Sequence, residues 1–353
     1  MRINGVKILS LRDVNGFFGL IADNMAIIAF LVAILVKVFG FPAEIVYYRI
    51  IPGTALGVFV GDIILTVIGY RLTKKTGRTD IAAMPLGLDL PSTIGIALTA
   101  IGPAFLAMKE NGMNPHDAAI QAWYVGMAGI VTIGFLKVLA TTCANKIQNV
   151  VPKAGLLGSL AGVCIGLIGF MALTEIFSLP IVGIIAFGLV IYTIIAKIPL
   201  PKRIPGVFVS ILVGTVLYHI LGPTNLLGCA YLEPSLTLHM GLPIPSLGFV
   251  YGFIPALKYL PIFIPFAVLV IVGNINVTAS AIVGGDPYSP KQILFIDGIK
   301  RIIGGICGSV AQTTAYIGQP AYKHMGSRLG YTLLAGIFIG LGGVFGYITF
   351  FVN

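Results

Sequence analysis

Thr313–Gly326, TTAYIGQPAYKHMG, lies in a very hydrophobic C-terminal third and yet reads badly as a membrane helix. Gly318 and Pro320 stand two residues apart with Gln319 between them, and Thr313, Thr314 and Tyr316 precede the pair. Proline removes a backbone donor and glycine weakens a helix interior, so a helix does not run through such a stretch unbroken. Backbone groups left unpaired in lipid cost several kcal/mol each. The segment must therefore be buried in protein or border a wet cavity.

The rest of the chain supplies the membrane. Its 353 residues are 57% hydrophobic and 10% charged, with 45 glycines and a mean hydropathy of +1.01. A soluble domain is about a quarter charged, whereas several runs here reach the ~20 apolar residues that cross a bilayer. The short alternating segments of a membrane β-barrel are absent. Spans are expected at about 14–38, 45–70, 81–108, 119–141, 150–172, 175–196, 205–222, 256–283, 290–308, 311–325 and 329–352. The fold class is thus an all-α polytopic membrane protein. The opening MRINGVKILSLRD leads into an apolar run of full span length, so no cleavable signal peptide is expected.

The formal net charge of +10 reads as a topology signal rather than a nucleic-acid footprint. With the N-terminus in the cytoplasm and all eleven segments crossing, sixteen Lys and Arg residues between Arg2 and Arg328, Lys137 among them, fall inside. Four fall outside: Lys37, Arg49, Lys109 and Lys258. The bias holds only if both irregular segments, 81–108 and the one that contains TTAYIGQPAYKHMG, cross. The outer loop 223–255 has no Lys or Arg, and Lys146–Pro152 reads as an interfacial stretch. Glycine faces at 155–169 and 336–346 suit close helix packing. Cys143, Cys164, Cys229 and Cys307 form no metal or disulfide pattern, no histidine makes a proton relay, and no catalytic motif is present. Neither a metal nor a cofactor is expected, nor an enzyme.

The third segment, TDIAAMPLGLDLPSTIGIALTA (79–100), is a counterpart to the tenth. Pro85, Gly87 and Pro91 break it beside Asp89, Ser92 and Thr93. Seven spans separate the two, so the copies have opposite orientation in the membrane. Paired broken segments in matching halves point to a transporter site, with half-helix N-termini offering free N–H groups; two ordinary proline kinks are the plainer alternative. Intramembrane acids mark function or pairing. Asp89, at the break, and Asp23 are the candidates for substrate or coupling. Asp62 reads as a helix–helix partner, and Asp297 as a salt-bridge partner of Lys300 and Arg301 three and four residues on. In IVGNINVTASAIVGG (271–285), Asn274, Asn276, Thr278 and Ser280 form a polar stripe that suggests unwinding at Gly273. A planar amide matches the donor–acceptor edge of a nucleobase.

MPLGLDLPSTIG (84–95), GGDPYSPKQILFIDGIKRIIGGICGS (284–309) and TTAYIGQPAYKHMG together resemble the xanthine/uracil permease family of nucleobase–cation symporters, near its adenine/guanine branch. The resemblance implies two inverted seven-span repeats, a core that binds substrate, a gate against which it moves, and a strand pair beside the substrate. It divides the chain into core 1–142 (spans 1–4), gate 143–222 (spans 5–7), outer loop 223–255 and core 256–353 (spans 8–11). The second repeat is then incomplete, with gate spans 12–14 absent, and a complementing partner or homo-oligomer is implied. Relatives carry acids in span 8 and segment 10, where this chain has Asn274, Asn276 and Gln319. Substrate is expected against Asp89, Asn274, Asn276, Thr314, Tyr316 and Gln319, with coupling to H+ or Na+ through Asp23 or Asp89. The expected function is secondary transport of a purine, pyrimidine or similar planar solute across the cell membrane. Carriage of a small anion such as sulfate or bicarbonate, and a role as one subunit of a split permease, are the alternatives.

Overall fold

The computed structural model describes residues 2–3, 6–144, 158, 161–162, 165, 169–201, 204–224, 226–227, 231 and 237–352. The expected span 150–172, the stretch Lys146–Pro152, most of the 155–169 glycine face, Cys164, Cys229 and part of loop 223–255 lie outside these residues or nearly so.

After a short hairpin, β1 (Arg2–Ile3) and β2 (Val6–Lys7), four long helices follow: α1 (Asp13–Val38), α2 (Ala43–Thr76), α3 (Leu90–Glu110) and α4 (Pro115–Ala140). Strand β3 (Leu86–Leu88) leads into α3. Then come α5 (Phe170–Ser178), α6 (Pro180–Ile195) and α7 (Gly206–Leu221). Next are α8 (Gly248–Ala256), α9 (Leu260–Val283) and α10 (Pro290–Ile306). Strand β4 (Thr313–Ala315), α11 (Gln319–His324), α12 (Gly330–Phe345) and α13 (Ile348–Val352) complete the order. Among the described residues six helices, counting α8 and α9 as one, are long and apolar enough to cross a membrane. The chain is an all-α polytopic membrane protein with two strand-led segments.

Local chemistry explains how long helices carry prolines. Pro52 in α2 and Pro103 in α3 each follow a π-helical turn, at Val46–Ile50 and Ala97–Ile101. The wider turn relieves the clash between the proline ring and the carbonyl one turn back. Gly77, at φ 68°, ends α2 in the left-handed conformation that favours glycine. The end of the expected outer loop is helical: α8 packs along α4, where a side chain at Gly252 would strike the Tyr124 carbonyl.

Small residues set the helix spacing in the core. The expected 336–346 face is used as such: Gly336, Gly340 and Gly343 lie against Asp62, Phe59 and Ala55 of α2. Gly134 of α4 and Gly298 of α10 face each other, each close to the other's carbonyl oxygen. Close approach of this kind drives helix association where lipid removes the hydrophobic incentive. Helices α5–α7 pack mostly on one another, and α6 has no buried residue, so much of their apolar surface faces outward.

Strands β3 and β4 pair antiparallel in the middle of this bundle, with Leu86 opposite Ala315, Gly87 opposite Thr314 and Leu88 opposite Thr313. The two broken segments therefore meet head to head, from opposite directions. The second half-helix is short: α11 has only 6 residues.

Candidate functional site

A two-stranded sheet inside a membrane protein has two open edges, and each unpaired group there is expensive. Side chains close both. On the outer edge of β3, the Leu86 amide donates to Asp62 Oδ1 (2.9 Å) and the Leu88 amide to Asn24 Oδ1 (3.0 Å). On β4, the Arg301 guanidinium donates to the Thr313 carbonyl. The ends are tied as well, Tyr316 N to Pro85 O (2.8 Å) and Asp89 N to Gln312 O (2.7 Å). Gly87 is required by space, since a Cβ there would lie 2.7 Å from the Tyr316 ring. The sequence reading of Asp62 as a helix–helix partner is thus corrected: its carboxylate serves the strand.

Beside this pair lies a cavity of about 230 Å³, below the range typical of drug-sized ligands. Asp23 and Ile27 of α1, Leu88, Asp89 and Pro91 of the third segment, Gly273 and Asn276 of α9, and Thr314–Ile317 of the tenth segment line it. Its walls are mainly apolar; Asp23, Asp89, Asn276, Thr314 and Tyr316 supply the polar groups. Asp23 hydrogen-bonds the Tyr316 side chain and feels the charge of Asp89. Asp23 Oδ2 has no donor among the described residues. Asp89 is the N-cap of α3, its Oδ2 accepting from Ser92 N at 3.1 Å. The expectation of free N–H groups at this half-helix is corrected at Ser92, whose amide the chain's own carboxylate takes. Among the described residues the cavity wall carries two acids and no Lys or Arg.

Of the expected substrate residues, Asp89, Asn276, Thr314 and Tyr316 come together here, with Asp23 beside them. Asn274 and Gln319 do not. Helix α9 runs unbroken past Gly273, correcting the expected unwinding. Residues two apart on a helix point about 200° apart, so Asn276 faces the cavity while Asn274 turns to α10 and donates to Asp297 (2.9 Å). Gln319, fully buried, donates to Asp286 Oδ2 (2.6 Å) at the basic end of the segment. That places it in a polar knot with Lys323, which is 2.5 Å from Asp286 Oδ1 and 3.7 Å from Asp80 Oδ2. Arg78 joins from the α2–β3 loop, chelating Asp80 and donating to the Gly285 carbonyl at 2.5 Å. Asp80 is held down at about 2, chiefly by its hydrogen bond from Arg78.

Behind β4 a second polar group is wholly buried. Asp297 Oδ1 pairs with Lys300 at 2.6 Å, as its spacing implied, and Oδ2 takes the Lys137 ammonium. Thr314 touches the same oxygen at 3.5 Å. Two corrections follow. Arg301 makes its contact with the strand instead of sharing Asp297. Lys137, counted as an inner-loop charge, sits on the buried face of α4 at 0% exposure. One turn from the end of its helix, a lysine reads in sequence as snorkelling to water; only the acid 160 residues away distinguishes it.

No protein-family model matches the chain, and no curated protein matches it. Among solved structures it resembles the transmembrane domain of a cyanobacterium bicarbonate transporter, BicA, at a TM-score of 0.52 and 14% identity, over 98% of this chain and 89% of that one. At that identity the likeness speaks for the fold: the chain has the fold of a membrane transporter domain.

Proposed function

We propose that the chain is a secondary transporter that carries a small, planar, hydrogen-bonding solute of the nucleobase class together with a cation. Residues 1–142 and 256–353 form the carrying core, and the helices within 143–222 are the body against which it moves. The N-terminus lies on the cytoplasmic side of the cell membrane. The observation that supports this is the cavity between the two head-to-head strand-led segments, with Asp23 and Asp89 on its wall. Apolar walls, the Tyr316 ring and the Asn276 amide suit the face and edge of a flat polar molecule. Two carboxylates facing one space suit a proton or Na+, and the unsatisfied oxygen of Asp23 is the place to load it. Binding a cation there lowers the repulsion between the acids and so favours the loaded form, which is the thermodynamic requirement for coupling.

A second reading, transport of a small anion such as bicarbonate, rests on the likeness to a bicarbonate transporter domain. Against it stands the acidic wall, which an anion tolerates only with the carboxylates neutralised. Proteoliposomes separate the two. Saturable uptake of radiolabelled uracil, xanthine or adenine, raised by a proton or sodium gradient, supports the first; gradient-driven bicarbonate uptake that bases do not inhibit replaces it with the second.

A further inference from the structure

A larger cavity, of about 950 Å³, lies apart from the candidate site, where three elements meet. They are the approach to α1 and its first turn (Ser10, Leu11, Arg12 and Asn15), the end of α11 and the connection from α6 to α7. Arg12, Lys197 and His324 line it, and no Asp or Glu does among the described residues. None of the three belongs to an ion pair among the described residues. Ser10, Asn15 and Thr193 add neutral polar groups, and most of the remaining wall is apolar, including Ile195 and Ile204, which are 69% and 42% exposed. Lys197 is also the one non-glycine residue at positive φ (56°) among those described. A side chain held in that region points to a constraint from its surroundings.

From the juxtaposition of Arg12, Lys197 and His324 over an apolar wall, we propose that this cleft binds the headgroup of an anionic phospholipid. A soluble anion has use only for the cationic rim. A lipid uses both parts: its phosphate meets the two permanent charges and the imidazole donor, and its acyl chains lie along the isoleucines that open to the bilayer. Basic pockets between membrane helices take lipid headgroups on these terms. The occupant touches α1, α11 and the α6–α7 connection together. It therefore bridges the elements whose separation any movement of α5–α7 against the rest requires, and it holds that movement back.

The test is retention of phosphatidylglycerol by the whole protein in native mass spectrometry, paired with its thermal midpoint in phosphatidylcholine nanodiscs with and without phosphatidylglycerol. Wild type is expected to retain the lipid and to melt higher when it is present. Each charge removed should weaken retention about fivefold, so R12Q/K197Q/H324Q loses both effects, while K37Q, at an exposed lysine elsewhere, keeps them. Lys197→Gly removes one charge and relaxes the positive φ, so it provides a folded comparison if the triple variant is unstable. Undiminished retention by both variants overturns the proposal. So does an equal thermal shift from inorganic phosphate alone, which would assign the cleft to a soluble anion.

Discussion

Asp297 should be far less replaceable than the lysine that points at it. The carboxylate is 2% exposed and faces two ammonium groups, Lys137 and Lys300, both at 0%. The Arg301 guanidinium adds a third positive charge nearby. Asp297→Asn therefore leaves a cluster of buried cations around a neutral amide. Removing one partner of a buried pair costs about 3–5 kcal/mol, and mutual repulsion of the cations places this variant at the upper end. Lys137→Met is different. Asp297 keeps Lys300 at 2.6 Å and the Asn274 amide at 2.9 Å, and the cluster comes nearer to neutrality, so the loss is that of a hydrogen bond to a charged group, about 1.5–3 kcal/mol, less what the smaller repulsion returns. The double variant D297N/K137M should recover part of the D297N loss, giving a coupling energy of about 1–3 kcal/mol. Equilibrium unfolding in mixed detergent micelles measures all three. Equal losses for the two single variants, or a D297N loss below about 1 kcal/mol, would refute the assignment of Asp297 as the shared counter-ion. The Thr314 contact ties the effect to function, because D297N should also loosen β4 and lower uptake.

Asp89→Asn keeps a good N-cap and removes the charge, so it should leave stability within about 0.5 kcal/mol and weaken cation dependence of uptake without abolishing it, since Asp23 remains; Asp89→Ala should in addition lose about 1 kcal/mol. Asn276→Leu should cut uptake with little change in melting, while Asn274→Leu should lower the melting point first. The reverse ranking would mean that α9 turns its other face to the cavity. Asp80 is depressed in the folded state to about 2 against about 3.9 unfolded. Its pair with Arg78 thus contributes fully above about pH 4, and the contribution fades as pH falls toward 2. The side chain is 50% exposed, so screening keeps the effect within about 1 kcal/mol. Hydrogen exchange at residues 78–82 should stay constant from pH 8 to 5 after correction for intrinsic rates, and a marked loosening in that window would break the argument.

Much of the architecture is legible because proline and glycine have few conformational options. Pro85–Gly87 and Gly318–Pro320 mark their own breaks, whereas Asp89, two residues before Pro91, reads as a site acid and not as the cap it makes. What stays hidden is direction. A polar stripe at spacing two, Asn274 to Ser280, looks like one face of an extended segment. Helix geometry divides it between a charge cluster and a cavity. Gln319 stands at the first residue of α11, where nothing local tells whether its amide reaches forward to a ligand or back to Asp286, 33 positions earlier. Asp286 itself, in the turn GGDP, gives no sign of being the acceptor for Ala82 N, Gln319 and Lys323. Long-range partners of this kind are set by packing, which no window of sequence contains.

The four intramembrane acids show how a strand pair can exist in this setting and still leave a site. Asp62 is occupied by the Leu86 amide, so it stabilises the exposed edge of β3. Asp297 is occupied by lysines and lies behind β4. Asp89 gives one oxygen to the α3 N-terminus, where the helix dipole further favours its negative charge. Asp23 meets a neutral hydroxyl, Tyr316, and keeps an oxygen without a donor among the described residues, as Asp62 does at its Oδ2, but of these two only Asp23 lines the cavity. Its free oxygen is therefore the one that borders the cavity. Because Tyr316 lies on the tenth segment and Asp23 on the first helix, a proton or cation arriving at Asp23 alters the contact that joins α1 to the strand pair. The same event that changes the charge of the cavity thus changes how the two halves of the site are held together, which is what coupling between a cation and a solute requires.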